Sequence, residues 1–139
     1  MAPPPFEHAR ELLAGVKDLG WRCVVLSNTV RRDAEVYRRE FAAAGCGGWV
    51  DDYVTSVDAG FSKPDLRIFR AALAVAGARP SQCVMIGNSE DADIAPAKAL
   101  GMRTLRVAVD RAVPGPTAAD ALVTRLDDAL KVLKLWAFS

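Results

Sequence analysis

Three short polar runs, each following a stretch of apolar residues, carry the side chains of this 139-residue chain best suited to chemistry. Ser27, Asn28 and Thr29 follow Val24-Val25-Leu26. Asp58, Ser62 and Lys63 follow Tyr53 to Val57, and Gly87, Asn88, Ser89, Glu90, Asp91 and Asp93 follow Cys83 to Ile86. Together they offer hydroxyl and amide donors, an ammonium and a group of oxygen ligands. That mixture suits a phosphate held with a hard divalent cation.

Each residue also has a plainer reading. Ser27 either caps a helix or donates to a phosphate oxygen beside the N–H groups of a helix N-terminus. Lys63 is either a solvated surface lysine or one side of an anion site. The second follows because a cation just before a helix opened by Pro64-Asp65 opposes the helix dipole unless an anion lies between. Glu90 fits the ordinary preference of acids for a first helical turn, whereas Asn88 and Asp93 flank a turn out of a buried strand and suit a cation. A Ser–His nucleophile finds no support, because His8 is the only histidine and lies at the far end of the preceding helix. Arg31, Arg32, Arg38 and Arg39 read as a solvated helix face, and Trp21, Trp49 and Trp136 as packing.

The elements that must position these residues alternate in period. Phe6 to Leu19 is helical, with Phe6, Leu12, Leu13 and Val16 on one side, and Arg22 to Ser27 is a short buried strand. Asn28 or Thr29 caps a helix reaching Ala44, with Ala34, Tyr37, Phe41 and Ala44 on its apolar face. A strand follows near Tyr53 to Val57. A helix then opens at Pro64-Asp65 and carries Ile68, Phe69, Ala72, Leu73 and Ala76. Strand Cys83 to Ile86, helix Asp91 to Leu100 and strand Thr104 to Val109 come next. Ala112 to Ala119 is a loop, Ala121 to Val123 a short strand, and Leu126 to Leu135 a closing helix. This alternation predicts an α/β fold with a doubly wound parallel sheet, in which ligands bind at the carboxyl ends of the strands. All three polar runs fall on that edge.

Composition narrows the class. The chain is 51% hydrophobic and 25% charged, with 18 basic and 17 acidic residues, which fits one core-forming domain over 1–139. A net charge of +1 without a long basic run argues against nucleic-acid and membrane-surface binding. The apolar runs are too short to span a membrane, and Met1-Ala2-Pro3-Pro4-Pro5 lacks signal-peptide character. No Cys/His spacing suits zinc. Cys23 and Cys83 sit in apolar runs as core thiols, so a reducing cytoplasm is expected.

Three stretches in order resemble the haloacid dehalogenase-like hydrolases. They are Val24-Val25-Leu26-Ser27-Asn28-Thr29, then Ser62-Lys63-Pro64-Asp65-Leu66-Arg67-Ile68-Phe69, then Val84-Met85-Ile86-Gly87-Asn88-Ser89 through Asp93-Ile94. Ala97-Lys98-Ala99-Leu100-Gly101-Met102 continues the match. The resemblance implies a Rossmann-like core and, in the complete family member, Mg²⁺-dependent phosphate-ester hydrolysis of a small phosphorylated metabolite. It makes Ser27 and Asn28 phosphate-binding, Lys63 the charge stabiliser that also contacts phosphate, and Asn88 and Asp93 the Mg²⁺ positions.

Two departures stand out. Asn88 occupies a position where the family usually has an acid, so the metal should bind more weakly. The family's first motif, an Asp-x-Asp-x-Thr/Val at the end of a strand, does not occur in these residues, nor does the helical cap. The sequence therefore reads as a partial, truncated core lacking the usual first central strand, inactive as it stands. The alternative is a non-catalytic phosphate/cation-binding or protein-interaction module. In the family the first strand lies between those ending at Ser27 and at Ile86. Those two strands are thus expected either to pair directly or to recruit a strand through a homodimer or partner chain.

Overall fold

The structure, a computed structural model, describes residues 6–108 and 115–138. The expectations for Met1–Pro5, for Val109 as a strand end and for Ala112–Pro114 as loop lie outside the described residues, as do the side chains of Phe6 and His8. In chain order the elements are α1 (Phe6–Asp18), β1 (Val24–Ser27), α2 (Ala34–Ala43), β2 (Asp52–Thr55), α3 (Ser56–Ala59) and α4 (Leu66–Ala76). There follow β3 (Val84–Gly87), α5 (Ala95–Ala99), β4 (Arg103–Val107), β5 (Ala121–Val123) and α6 (Leu126–Ala137). The alternation read from the sequence stands, and every ladder is parallel.

Local chemistry moves several boundaries. α2 is capped not by Asn28 or Thr29 but by Asp33, whose carboxylate accepts the Val36 N–H at 2.9 Å. The two expected caps are engaged elsewhere: Asn28 bonds to Lys63, and Thr29 exchanges bonds with the Ser56 hydroxyl. The second strand stops at Thr55, because its hydroxyl caps α3 through the Asp58 N–H and Gly60 closes that turn at φ 80°. Val57 is therefore helical. The helix expected from Asp91 begins instead as a π-type turn over Glu90–Ile94, capped by Ser89, before α5 continues it.

The strands form two half-sheets rather than one. β1 pairs only with β2, in register Val24↔Asp52 to Ser27↔Thr55, while β3, β4 and β5 form a second ladder in that order. Direct pairing of β1 with β3, one of the two closures expected, does not occur among the described residues. The two halves share helices. On one face α4 buries Ile68 and Phe69 against Val24, Leu26 and Val54 of the first half and Met85 of the second. On the other face α1 places Val16 and Leu12 in the core of β4, β5 and α6, while its Leu13 joins Phe41, Tyr53, Cys23 and Val25 of the first half. A Cβ at Gly15 would run into Leu130, so this glycine lets α1 and α6 approach closely. Each half-sheet is thereby fixed to shared helices.

Candidate functional site

The carboxyl ends of β1, β2 and β3 converge on one edge. Lys63 reaches across it, and its Nζ donates to Asp93 Oδ1 at 2.6 Å with the two side chains only 14% and 4% exposed. Asp93 is placed by the strand beneath it and by its own turn. The Ser89 N–H donates to its second oxygen at 3.1 Å, and any Cβ at Gly87 would collide with its side chain. Only glycine lets β3 end under that carboxylate. Lys63 is fixed from β1: its N–H donates to Asn28 Oδ1 at 2.8 Å, and Asn28 Nδ2 donates back to its carbonyl at 3.1 Å. Through its side chain, Asn28 thus sets the position of Lys63.

The structure brings Lys63, Asp93 and Asn28 into contact. Ser27 and Asn88 lie on the same edge, but neither side chain bonds to that trio. The Ser27 hydroxyl sits 2.9 Å from the Tyr37 hydroxyl, and the Asn88 amide is exposed, with its backbone carbonyl accepting from Arg106 Nε at 3.3 Å. Asp58, which follows the second strand, is a structural cap: its carboxylate accepts from the Ala34 N–H and the Thr55 hydroxyl.

Two participants escaped the sequence reading. Tyr37 belongs to the apolar helix face that the sequence predicts, and its ring packs there, stacked on Tyr53 and edge-on to Phe41, but its hydroxyl emerges at Ser27. Arg106, a charged residue inside β4, is buried with its guanidinium over the Asn88 carbonyl, the Glu90 carboxylate and the Pro116 carbonyl. Glu90 also accepts from the Thr117 hydroxyl at 2.6 Å and the Ala118 N–H at 2.9 Å. Those two bonds, with Arg106 beside them, hold its carboxyl below the usual range. Glu90 and Arg106 therefore strap the segment after residue 115 to the turn that carries Asp93. A charge inside a parallel strand was the one available signal, since such strands are normally apolar.

Among the described residues no group of three or more His, Cys, Asp or Glu side chains gathers, and no helix is long and apolar enough to cross a membrane. A family model described as haloacid dehalogenase-like hydrolase matches residues 2–101. The chain belongs to that family. It is 35% identical over 105 residues to the glyceraldehyde 3-phosphate phosphatase of Methanothermobacter thermautotrophicus, a match taking in 74% of this chain and 44% of that protein. The chain thus spans less than half the length of this curated relative. In structure it resembles an uncharacterized protein from Listeria monocytogenes serotype 4b, with a TM-score of 0.79 at 28% identity over 95% of this chain and 80% of that one. It also resembles the Bacillus subtilis HAD-hydrolase YfnB bound to magnesium, with a TM-score of 0.76 at 19% identity over 91% of this chain and 55% of that one. That last likeness is one of fold.

Proposed function

We propose that these 139 residues supply the phosphate- and cation-holding part of a Mg²⁺-dependent phosphatase of the family, acting on a small phosphorylated metabolite. The observation that carries this reading is the buried Lys63–Asp93 pair at the edge where three strands end. A lysine ammonium has three N–H donors. One goes to Asp93, leaving two for phosphoryl oxygens, and Asn28 holds the backbone so that the ammonium stays in place. Ser27 donates its hydroxyl proton to a phosphoryl oxygen while accepting from Tyr37.

The donor set fits a loosely held Mg²⁺. Asp93 offers a carboxylate and Asn88 an amide oxygen, and such an ion characteristically completes its shell with water and substrate phosphate. When bound, Mg²⁺ neutralises charge on the phosphoryl group. Asp91-Ala92-Asp93, the Asp-x-Asp present, lies in the π-type turn with Asp93 paired to Lys63, so the covalent route is assigned to a carboxylate outside these residues. With Mg²⁺ and an aryl phosphate ester, the chain should turn over no faster than buffer. Hydrolysis abolished by Lys63→Ala would contradict this.

The second reading is a phosphate/cation-binding or protein-interaction module without turnover, and Asn88 favours it by removing a formal charge from the cation site. Replacing Asn88 with Asp distinguishes the two. A tenfold or so gain in Mg²⁺ affinity with no gain in phosphate affinity would favour the module. Linked gains in both support the hydrolase part.

A further inference from the structure

We propose, resting on that reading of the edge, that the buried Arg106 is a positioning residue for both side chains assigned to Mg²⁺, acting through the single peptide group Asn88–Ser89. Arg106 lies in β4, in register with Gly87 at the end of β3. Its Nε donates to the Asn88 carbonyl at 3.3 Å. The opposite side of the same peptide group, the Ser89 N–H, donates to Asp93 Oδ2 at 3.1 Å. Asp93 Oδ1 in turn accepts from Lys63 Nζ at 2.6 Å. An unbroken line of hydrogen bonds thus runs from the guanidinium of Arg106 to the ammonium of Lys63.

That line does two things. A peptide group is planar and stiff, so holding its carbonyl from β4 fixes the direction in which the Ser89 N–H meets Asp93. It also fixes the backbone from which the exposed Asn88 amide extends. In addition, a cation on a carbonyl oxygen polarises the peptide, and hydrogen bonds in series strengthen one another. The Ser89 N–H is then a better donor to the Asp93 carboxylate than an unassisted amide would be.

Packing alone does not account for this side chain. Arg106 is 5% exposed, between Leu105 and Val107 of the core, where a parallel strand is ordinarily apolar. A buried ion pair is seldom more stable than apolar residues of the same volume, so the 3.3 Å contact with Glu90 is not reason enough for a guanidinium. Its shape is. The planar fork holds its donors in fixed directions. Nη1 reaches Glu90 and the Pro116 carbonyl while Nε reaches Asn88. Glu90 and Pro116 therefore anchor Arg106, and Arg106 anchors the peptide that serves Asp93.

The test compares Arg106→Met with Glu90→Gln in the intact chain. The first removes the bond to the Asn88 carbonyl. The second loosens the strap to Thr117 and Ala118 and leaves that bond in place. Two quantities are read: exchange of the Ser89 amide without ligand, and Mg²⁺ affinity by calorimetric titration in inorganic phosphate. Arg106→Met should speed exchange at Ser89 by about tenfold while leaving the Leu105 amide protected. It should also weaken Mg²⁺ binding by about tenfold or more, as loss of a partner behind a metal ligand does. Glu90→Gln should keep both within about twofold of the parent. If Arg106→Met fails to fold because Glu90 is left without its counter-charge, Arg106→Met/Glu90→Gln removes both charges and should show the same two losses. Parent-like Ser89 exchange or parent-like Mg²⁺ affinity in a folded Arg106 variant would overturn the proposal. Equal losses in Glu90→Gln would also overturn it, since Arg106 would then serve the strap alone. A parent chain that binds neither ion contradicts the phosphate and cation reading instead, and Ser89 exchange then decides by itself whether Arg106 positions Asp93.

Discussion

Lys63 and Asp93 stand 30 residues apart in sequence and 2.6 Å apart in the fold, and their neighbours show how single residues set the edge. Glu90 is the clearest titrating case. Its carboxyl is held below the usual range by Thr117, Ala118 and Arg106, so the unfolded chain binds a proton at Glu90 more readily than the folded one. The resulting stability is present above the ordinary carboxylate range and is lost as pH falls through the lowered value. Denaturant unfolding across that acid limb should therefore show a shallower pH dependence in Glu90→Gln than in the parent. Identical slopes would detach Glu90 from the strap. The thiols make a second prediction. Burial, with Asp51 adding to it, pushes Cys23 up to about 11, and burial also raises Cys83. Roughly one Cys23 in ten thousand is then a thiolate at neutral pH, and Cys46 is fully buried. Iodoacetamide should label the native chain slowly at all three cysteines and the unfolded chain quickly; fast native labelling of Cys23 would contradict its placement.

At the scale of elements, α4 does the most to join the halves. Phe69 is 1% exposed and contributes to the cluster that links β1, β2 and β3. Phe69→Ala should cost about 3–5 kcal/mol in denaturant unfolding, whereas Val75→Ala on the exposed side of the same helix should stay within about 0.5 kcal/mol. Equal effects would mean that α4 does not clamp the sheet. The elements also mark where the sequence was legible. Apolar runs and their period located the strands and the longer helices around the site, because that signal is local, but missed the short α3 (Ser56–Ala59). The cap of α2 was misplaced because Asn28 and Thr29 are recruited by Lys63 and Ser56, residues more than 25 positions away. The end of β2 at Thr55 was legible in principle: Thr55 followed three residues later by Asp58 is a capping pattern.

For the whole molecule, the order of the polar runs sufficed to put Lys63 and Asp93 on one edge, since the carboxyl ends of parallel strands converge there; their direct contact is a finding of the structure. Tyr37 beside Ser27 was hidden, because a tyrosine on an apolar helix face packs its ring and exposes its hydroxyl without any change in periodicity. The expected outcomes were direct pairing of β1 with β3 or recruitment of a further strand, and direct pairing does not occur among the described residues. Each half-sheet packs on shared helices, a packing property no single segment encodes. Such a molecule should still bind the transferred group, because Ser27, Lys63, Asn88 and Asp93 all lie on one built edge. Calorimetric titration of the intact chain with inorganic phosphate in the presence of Mg²⁺ tests this most directly, set against Lys63→Met, which keeps the apolar stem and removes the charge. The parent should bind saturably, and Lys63→Met should lose about tenfold or more in affinity, the worth of one charge-assisted hydrogen bond. Equal phosphate affinity in the two proteins, or none in either, would contradict the assignment of this edge as a phosphate site.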